Sequence, residues 1–193
     1  MKRTLAANLA GFLALAVGGA VVEAQQREQP QPPRTKVEAF EAQEGVVVVR
    51  GFSKIGDLKG VYGGVVSVQS MEFSNAATGK KEYGVTIDVK EASRLEREDR
   101  SFIDYDEIGS LIKGIDYISK VDRSATKLDS FQADYRTKGE FAISTFSSAN
   151  DIMCSISSGR IARVSTFFKI ADLAKFRNLI VNAKAKLDSI KVP

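Results

Sequence analysis

The chain contains no histidine, no tryptophan, a single cysteine (Cys154) and only four prolines. The missing histidine excludes a Ser-His-Asp triad, a Cys-His pair and any histidine metal ligand. One cysteine excludes an internal disulfide and a C-x-x-C redox or metal site. Three prolines crowd into residues 30–33 and the fourth is Pro193, so every residue from Val37 to Val192 keeps its backbone N–H, as long strands require. Catalysis on such a chain falls to carboxylates, lysine, tyrosine, serine and one thiol. Against these gaps stands an ordinary globular balance. The 193 residues are 44% hydrophobic and 27% charged with a formal net charge of +4, enough apolar content for one domain's core.

The first 24 residues, MKRTLAANLAGFLALAVGGAVVEA, open on Lys2 and Arg3 and carry no charge from Thr4 to Val22. Val22-Glu23-Ala24 then places small or tolerated residues before a cleavage point. This three-part layout predicts a secretory signal peptide over 1–24 and an exported chain, periplasmic or extracellular, after cleavage near Ala24. The uncharged run is also just long enough for a retained anchor, although Asn8, Gly11, Gly18 and Gly19 interrupt it. No cysteine lies near the cleavage point, which closes the lipoprotein route. No asparagine is followed by the x-Ser/Thr of a glycosylation site, which favours a bacterial setting. Residues 25–36, QQREQPQPPRTK, read as a Gln/Pro-rich disordered or extended linker, and 37–193 as a single α+β domain.

Strands dominate that domain. Tyr83, Val85, Ile87 and Val89 alternate with polar or small residues, the period-two signature of a half-buried strand. Val61 to Phe73 is a β-branched run, with Ser74 to Gly79 as the turn between the two. Val46 to Val49 with Phe52 suggest a shorter, more buried strand, and Ser101 to Tyr105 a weaker fourth. After a helix the pattern resumes at Phe131–Tyr135, Glu140–Ser147, Ile152–Ile156 and Arg160–Phe168, with turns at Lys138-Gly139 and Ser158-Gly159. The intervening helix carries Ile108, Leu111, Ile112, Ile115, Ile118 and Val121 on one stripe, and Asp104 with Glu107 suggests its capping box. A final helix from about Ala171 to Ser189 turns Leu173, Phe176, Ile180, Ala183 and Leu187 inward.

The expected fold class is therefore α+β, mainly antiparallel sheet in the order ββββα-ββββα, with two amphipathic helices packed on the sheet. From Gly45 to Ile190 that order resembles the doubled ββββα arrangement of Whirly-type single-strand nucleic-acid-binding proteins. The likeness is one of topology and brings no shared motif; what it implies is an alternative function as a single-strand nucleic-acid binder.

The short motifs carry little chemistry. Ser110-Leu-Ile-Lys113 and Ser124-Ala-Thr-Lys127 match S-x-x-K, a spacing that lets lysine deprotonate a serine nucleophile, but no S-D-N or K-T-G partner exists. Asp104-Tyr-Asp-Glu-Ile-Gly109 opens like a calcium loop and then fails, with Ile108 and Ile115 where ligands are needed. Gly56, Gly60, Gly63 and Gly64 are dense without forming a phosphate-binding fingerprint, and read as a turn followed by a bulged or kinked strand. Cys154, flanked at strand spacing by Ile152 and Ile156, reads as a small core residue. Phe73, Tyr83, Phe141, Phe146 and Phe167 read as core before they read as a stacking platform.

Arg160 to Pro193 holds eight basic residues against two acids. The expected binding face is the outer side of the last helix with its approach: Lys169, Lys175, Lys184 and Lys186, joined by Lys191. Such a surface attracts an anionic polymer, a membrane surface or a protein partner; nucleic acid is disfavoured as the partner of an exported chain. No cofactor, metal site or catalytic residue is assigned. The expected function is a non-enzymatic, exported binding or interaction protein, the alternative being a carboxylate- or Ser/Lys-dependent hydrolase.

Overall fold

The computed structural model describes residues 32–92 and 95–191. The expected signal peptide over 1–24 and most of the expected linker lie outside them. A short helix, α1 (Lys36–Glu41), leads into four strands, β1 (Val48–Lys59), β2 (Val65–Asn75), β3 (Lys81–Lys90) and β4 (Glu98–Asp104). Helix α2 (Ile108–Ile118) follows, then β5 (Gln132–Arg136), β6 (Ala142–Ser148), β7 (Asp151–Ser158) and β8 (Val164–Lys169), and finally α3 (Leu173–Asp188). The strands form two antiparallel four-stranded sheets, each in sequence order, which is the α+β class and the ββββα-ββββα order expected.

Period-two alternation decides which face of each sheet is buried. In the β2–β3 hairpin Val66 and Val68 lie opposite Val89 and Ile87, and all four join one core with Ile103 of β4. Asn75 shapes the connecting turn, its side-chain oxygen accepting from the N–H of Ala77 and Thr78, while Gly79 supplies φ +69. From the other sheet come Ile143, Cys154, Ile156 and Phe168. The stripe of α2 (Ile108, Leu111, Ile115, Ile118) and the expected inward residues of α3 join the same core. The rings of Phe141 and Phe176 stack with centroids 5.8 Å apart.

Each long helix covers the sheet of the other half. On α3, Ala183 accepts a hydrogen bond from Ser70 of β2 (3.0 Å), and Leu179 stands so close to Gly56 that an added Cβ would meet it at 2.8 Å. On α2, Ile118 accepts from Thr145 of β6 (3.2 Å), and the Tyr135 ring of β5 fills the space above Gly114. Arg177 joins the two helices by donating to both oxygens of Asp116 (2.6 and 3.1 Å). The β1–β2 hairpin tip also hooks onto β8, Val61 donating to the Phe167 carbonyl (2.9 Å), and Thr166 of β8 donates to the Lys90 carbonyl at the end of β3 (2.9 Å). Gly60 and Gly64 permit this approach, since a Cβ on either would lie 2.5 Å from Thr166. The glycine cluster thus serves sheet contact, and the bulge between Lys54 and Gly56 precedes the turn rather than following it.

Four sequence expectations need correction. The linker over 25–36 ends before Thr35, which is buried and caps α1 in a capping box with Glu38. Asp104 does not cap α2, because a 3-10 turn (Tyr105–Glu107) intervenes and leaves Asp104 extended at the end of β4. Its two oxygens instead accept from Lys36 N and Val37 N at the start of α1, both at 3.0 Å. Strand β1 is neither short nor buried: it runs twelve residues along a sheet edge, and Val47, Val49 and Phe52 are exposed. Strand β3 is buried on both faces over residues 84–89, because α1 packs on its second face through Val37 and Phe40, and Arg100 and Gln69 cover Asp88.

Candidate functional site

The α1 contact and the 3-10 turn together shape an open polar cleft of about 540 Å³ at one end of the first sheet. The start of β3 contributes Lys81, Glu82 and Tyr83, and the end of β4 with its 3-10 turn contributes Asp104, Tyr105 and Asp106. Lys36 enters from α1 and Lys191 from the chain just past α3. Three ammonium groups and two phenols, far apart in sequence, therefore converge.

Tyr105 is the centre of this arrangement. Its hydroxyl donates to Asp188 (2.5 Å), and Lys184 donates to both oxygens of the same carboxylate (3.0 and 2.8 Å). The Lys191 ammonium sits 3.8 Å from the Tyr105 ring centroid, with Lys184 at 5.3 Å. The hydrogen bond to Asp188 raises the Tyr105 phenol above the ordinary tyrosine range, while Lys184 and then Tyr105 hold Asp188 low. Tyr83 is also raised, first by burial and then by its hydrogen bond to Glu72. Lys81 and Lys36 are raised by their bonded carboxylates, Glu72 (3.0 Å) and Asp106 (2.7 Å).

The carboxylates in the cleft are already engaged. Asp104 is committed to two backbone N–H groups, Asp106 is held low by Lys36, and Glu82 faces Lys80 at 3.9 Å. Asp106, held low, is unsuited to general-acid chemistry at neutral pH. The cleft therefore offers the ammonium groups of Lys36, Lys81 and Lys191, with three N–H donors each, beside two tyrosines whose hydroxyls are already bonded to Glu72 and Asp188.

The expected basic face is not brought together. Lys175 and Lys184 are nine residues apart, about two and a half turns, so they emerge on opposite flanks of α3. Lys175 pairs with Asp172 (2.9 Å), and Lys169 lies at the end of β8, opposite Met153 on the outer side of the second sheet. Lys186 borders a different groove of about 310 Å³ with Gly51, Phe52 and Ile190. Only Lys184 and Lys191 stand at the cleft. Sequence reasoning named both but missed Lys36, Lys81 and Tyr105 and took Tyr83 only as a core or stacking ring, because no spacing signal links residues 36, 81, 105 and 191.

The other candidates fall elsewhere. Ser110 and Lys113 are exposed on the solvent side of α2, and Ser124, also exposed, donates to Asp122 (2.5 Å). Cys154 is fully buried, its thiol pushed up to about 12 by burial, as a core residue should be. Phe73 and Phe141 are core. Phe146 and Phe167 instead meet edge to face on the outer side of the second sheet (6.3 Å), and Tyr62 adds a third ring (6.0 Å). No group of three Cys, Asp or Glu among the described residues is arranged to hold a metal ion, and no described helix is long and apolar enough to cross a membrane. No protein-family model matches this chain, and no curated protein matches it.

Proposed function

We propose that the chain is a non-enzymatic binding protein, exported by way of residues 1–24, that holds an anionic group of its ligand in the cleft around Tyr105. The supporting observation is the convergence of Lys36, Lys81 and Lys191 with the hydroxyl-bearing rings of Tyr83 and Tyr105 on one open recess. Lysine ammonium groups act as point charges with three donors each, more than one bonded carboxylate uses, which fits them to a carboxylate or phosphate. The recess is open on one side, so a polymer end fits as well as a free small acid.

The hydrolase alternative draws little from this geometry. Its serines stand in solvent without a lysine in a dry pocket, and its carboxylates are bonded to backbone or to lysine. The single-strand nucleic-acid alternative rests on Tyr62, Phe146 and Phe167, three rings on the open side of a sheet.

The test is a titration of the purified chain with phosphate, citrate, a polyuronate and an oligonucleotide, followed through the ring signals of Tyr83 and Tyr105. Binding at the cleft shifts both rings, and a Lys81→Glu/Lys191→Glu variant loses the affinity. Binding that ignores this variant and instead shifts Phe146 and Phe167 transfers the function to the second sheet. No ring shift with any of the four refutes the cleft.

A further inference from the structure

The short helix α1 carries an inference that builds on the cleft. We infer that α1 is a strap that leaves and rejoins the first sheet as a unit, and that its docked state completes the cleft, so that a bound anion and docked α1 stabilise each other. The linkage to an anion rests on the function proposed above; the separate opening of α1 does not.

Three observations make α1 separable. Its apolar contacts form a cluster of their own. Val37 and Phe40 pack on Met71 and Phe73, with Val48 and Phe102 at the margin, apart from the main core that unites both sheets with α2 and α3. Undocking α1 therefore leaves that core closed. Its length is the second observation: six residues are too few for a stable helix alone, so away from the sheet α1 is unfolded. The third is the unevenness of its polar ties. The bonds from Lys36 N and Val37 N to Asp104 are sheltered, whereas Lys36–Asp106 (2.7 Å) and Glu41–Arg50 (3.1 Å) are surface pairs, which contribute little. A segment with a small buried area and few protected bonds opens at lower cost than the whole fold.

The docked strap reaches the cleft through the chain around Tyr105. Asp104 accepts from the first two N–H groups of α1, and Asp106 accepts from the Lys36 ammonium, so both sequence neighbours of Tyr105 are held by α1. Tyr105 in turn bonds Asp188 and carries the Lys191 ammonium over its ring. Docking therefore fixes the 3-10 turn that presents Tyr105, and it delivers Lys36 to the recess beside Lys81 and Lys191. With α1 away, Lys36 leaves, while Asp104 and Asp106 stay in the recess without their partners. An anion then meets less attraction and more repulsion. Such a difference in affinity between two states is what lets a ligand shift the balance between them. The linkage is reciprocal: the factor that docking adds to anion affinity is the factor that the anion adds to docking.

Amide exchange reads the strap, and ring signals read the cleft. In the parent chain the amides of Ala39 and Ala42, bonded to Thr35 and Glu38, are expected to exchange well before those of β6 and β7, at a rate that low urea leaves unchanged. Phe40→Ala removes a buried ring that lies outside the recess. It is expected to abolish the protection of Ala39 and Ala42 and to shift the Tyr105 ring signals, with β6 and β7 still protected. Glu38→Ala, which breaks the α1 capping box, is expected to act the same way in part, and it replaces the larger truncation where that fails to fold. Citrate is the anion probe. It is expected to slow exchange at Ala39 and Ala42 in the parent, and to bind Phe40→Ala about tenfold more weakly if about one tenth of that variant has α1 docked. Exchange of Ala39 and Ala42 in step with β6 and β7 overturns the strap. So does a Phe40→Ala chain with unprotected α1 amides and parental Tyr105 signals. Citrate that shifts the Tyr83 and Tyr105 rings with equal affinity in both chains, or without slowing the α1 amides, overturns the linkage and leaves the anion site standing. Citrate that shifts neither ring in the parent, while Phe40→Ala still moves Tyr105, overturns the anion site and leaves the strap standing.

Discussion

Replacing Asp104 by alanine should release α1 from the first sheet. Asp104 is 2% exposed, and its two oxygens receive Lys36 N and Val37 N at 3.0 Å each. Hydrogen bonds to a charged acceptor contribute about 1.5–3 kcal/mol apiece, so the gross loss is about 3–6 kcal/mol. A ceiling limits that figure, because a six-residue helix has little stability of its own and can detach. What detachment forfeits is the burial of Val37 and Phe40 against Met71 and Phe73, about 1.5–3 kcal/mol for each of the two side chains. We therefore expect Asp104→Ala to lower stability by about 3 kcal/mol and Asp104→Asn, which keeps one acceptor oxygen, by about half as much. Urea denaturation gives the total. Amide exchange at Ala39 and Ala42, bonded to Thr35 and Glu38, shows whether the loss is local to α1. A cost below about 1 kcal/mol, with those amides as protected as in the parent, would show that apolar contact alone holds α1 and that the Asp104 bonds contribute little.

Further outcomes follow from packing and charge. Gly64→Ala forces a Cβ to within 2.5 Å of Thr166 and 2.8 Å of the Lys90 carbonyl, and should cost about 1–3 kcal/mol in urea unfolding; Thr166→Ala in the same chain should recover part of it. Cys154 should resist iodoacetamide at pH 8 in the folded chain and react only on unfolding, as the raised thiol pKa and complete burial require. The Tyr105 pKa is raised in the fold, so its contribution to stability is present below the ordinary tyrosine value near pH 10 and is lost as pH rises through the folded value. Tyrosinate absorbance should show that late ionisation, and Asp188→Asn should return it to the ordinary range. Asp116 is held low by Arg177, so its contribution is present above the ordinary aspartate range and fades as pH falls through its folded value. Arg177→Gln should flatten the acid limb of the stability profile.

What the sequence made legible was whatever depends on local period. The β2–β3 hairpin, the stripes of α2 and α3 and the burial of Cys154 follow from alternation at two or at three and four residues, because one covered face imposes those periods. Four consecutive valines carry no period, so nothing in residues 46–49 tells an edge from a centre. Helix α1 escaped notice because six residues hold too few turns to show a stripe and its N-terminus is anchored from residue 104. The cleft escaped for the same reason in stronger form. Lys36, Tyr83, Tyr105 and Lys191 meet only through tertiary contact, and a charge count along α3 cannot show that Lys175 and Lys184 leave by opposite flanks. The aromatic residues divided likewise: Phe141 is core and Phe167 surface, though both sit in stretches of similar composition.

The crossing of helices over the opposite sheets sets the order in which this chain can become stable. While residues 1–172 are being made, the first sheet has its hairpins but not its cover, since that cover is α3, which follows all eight strands. The second sheet has its cover early, yet its β8 edge is tied to a hairpin tip about a hundred residues upstream. Neither ββββα half is therefore a folding unit, and a cut between them should leave two insoluble fragments instead of two small domains. Folding has to wait for contacts that span most of the chain, which makes it slow, highly cooperative and late relative to synthesis. Such a timetable delays folding until α3 is available, which suits the proposed export, where a chain is threaded through a membrane pore before it folds.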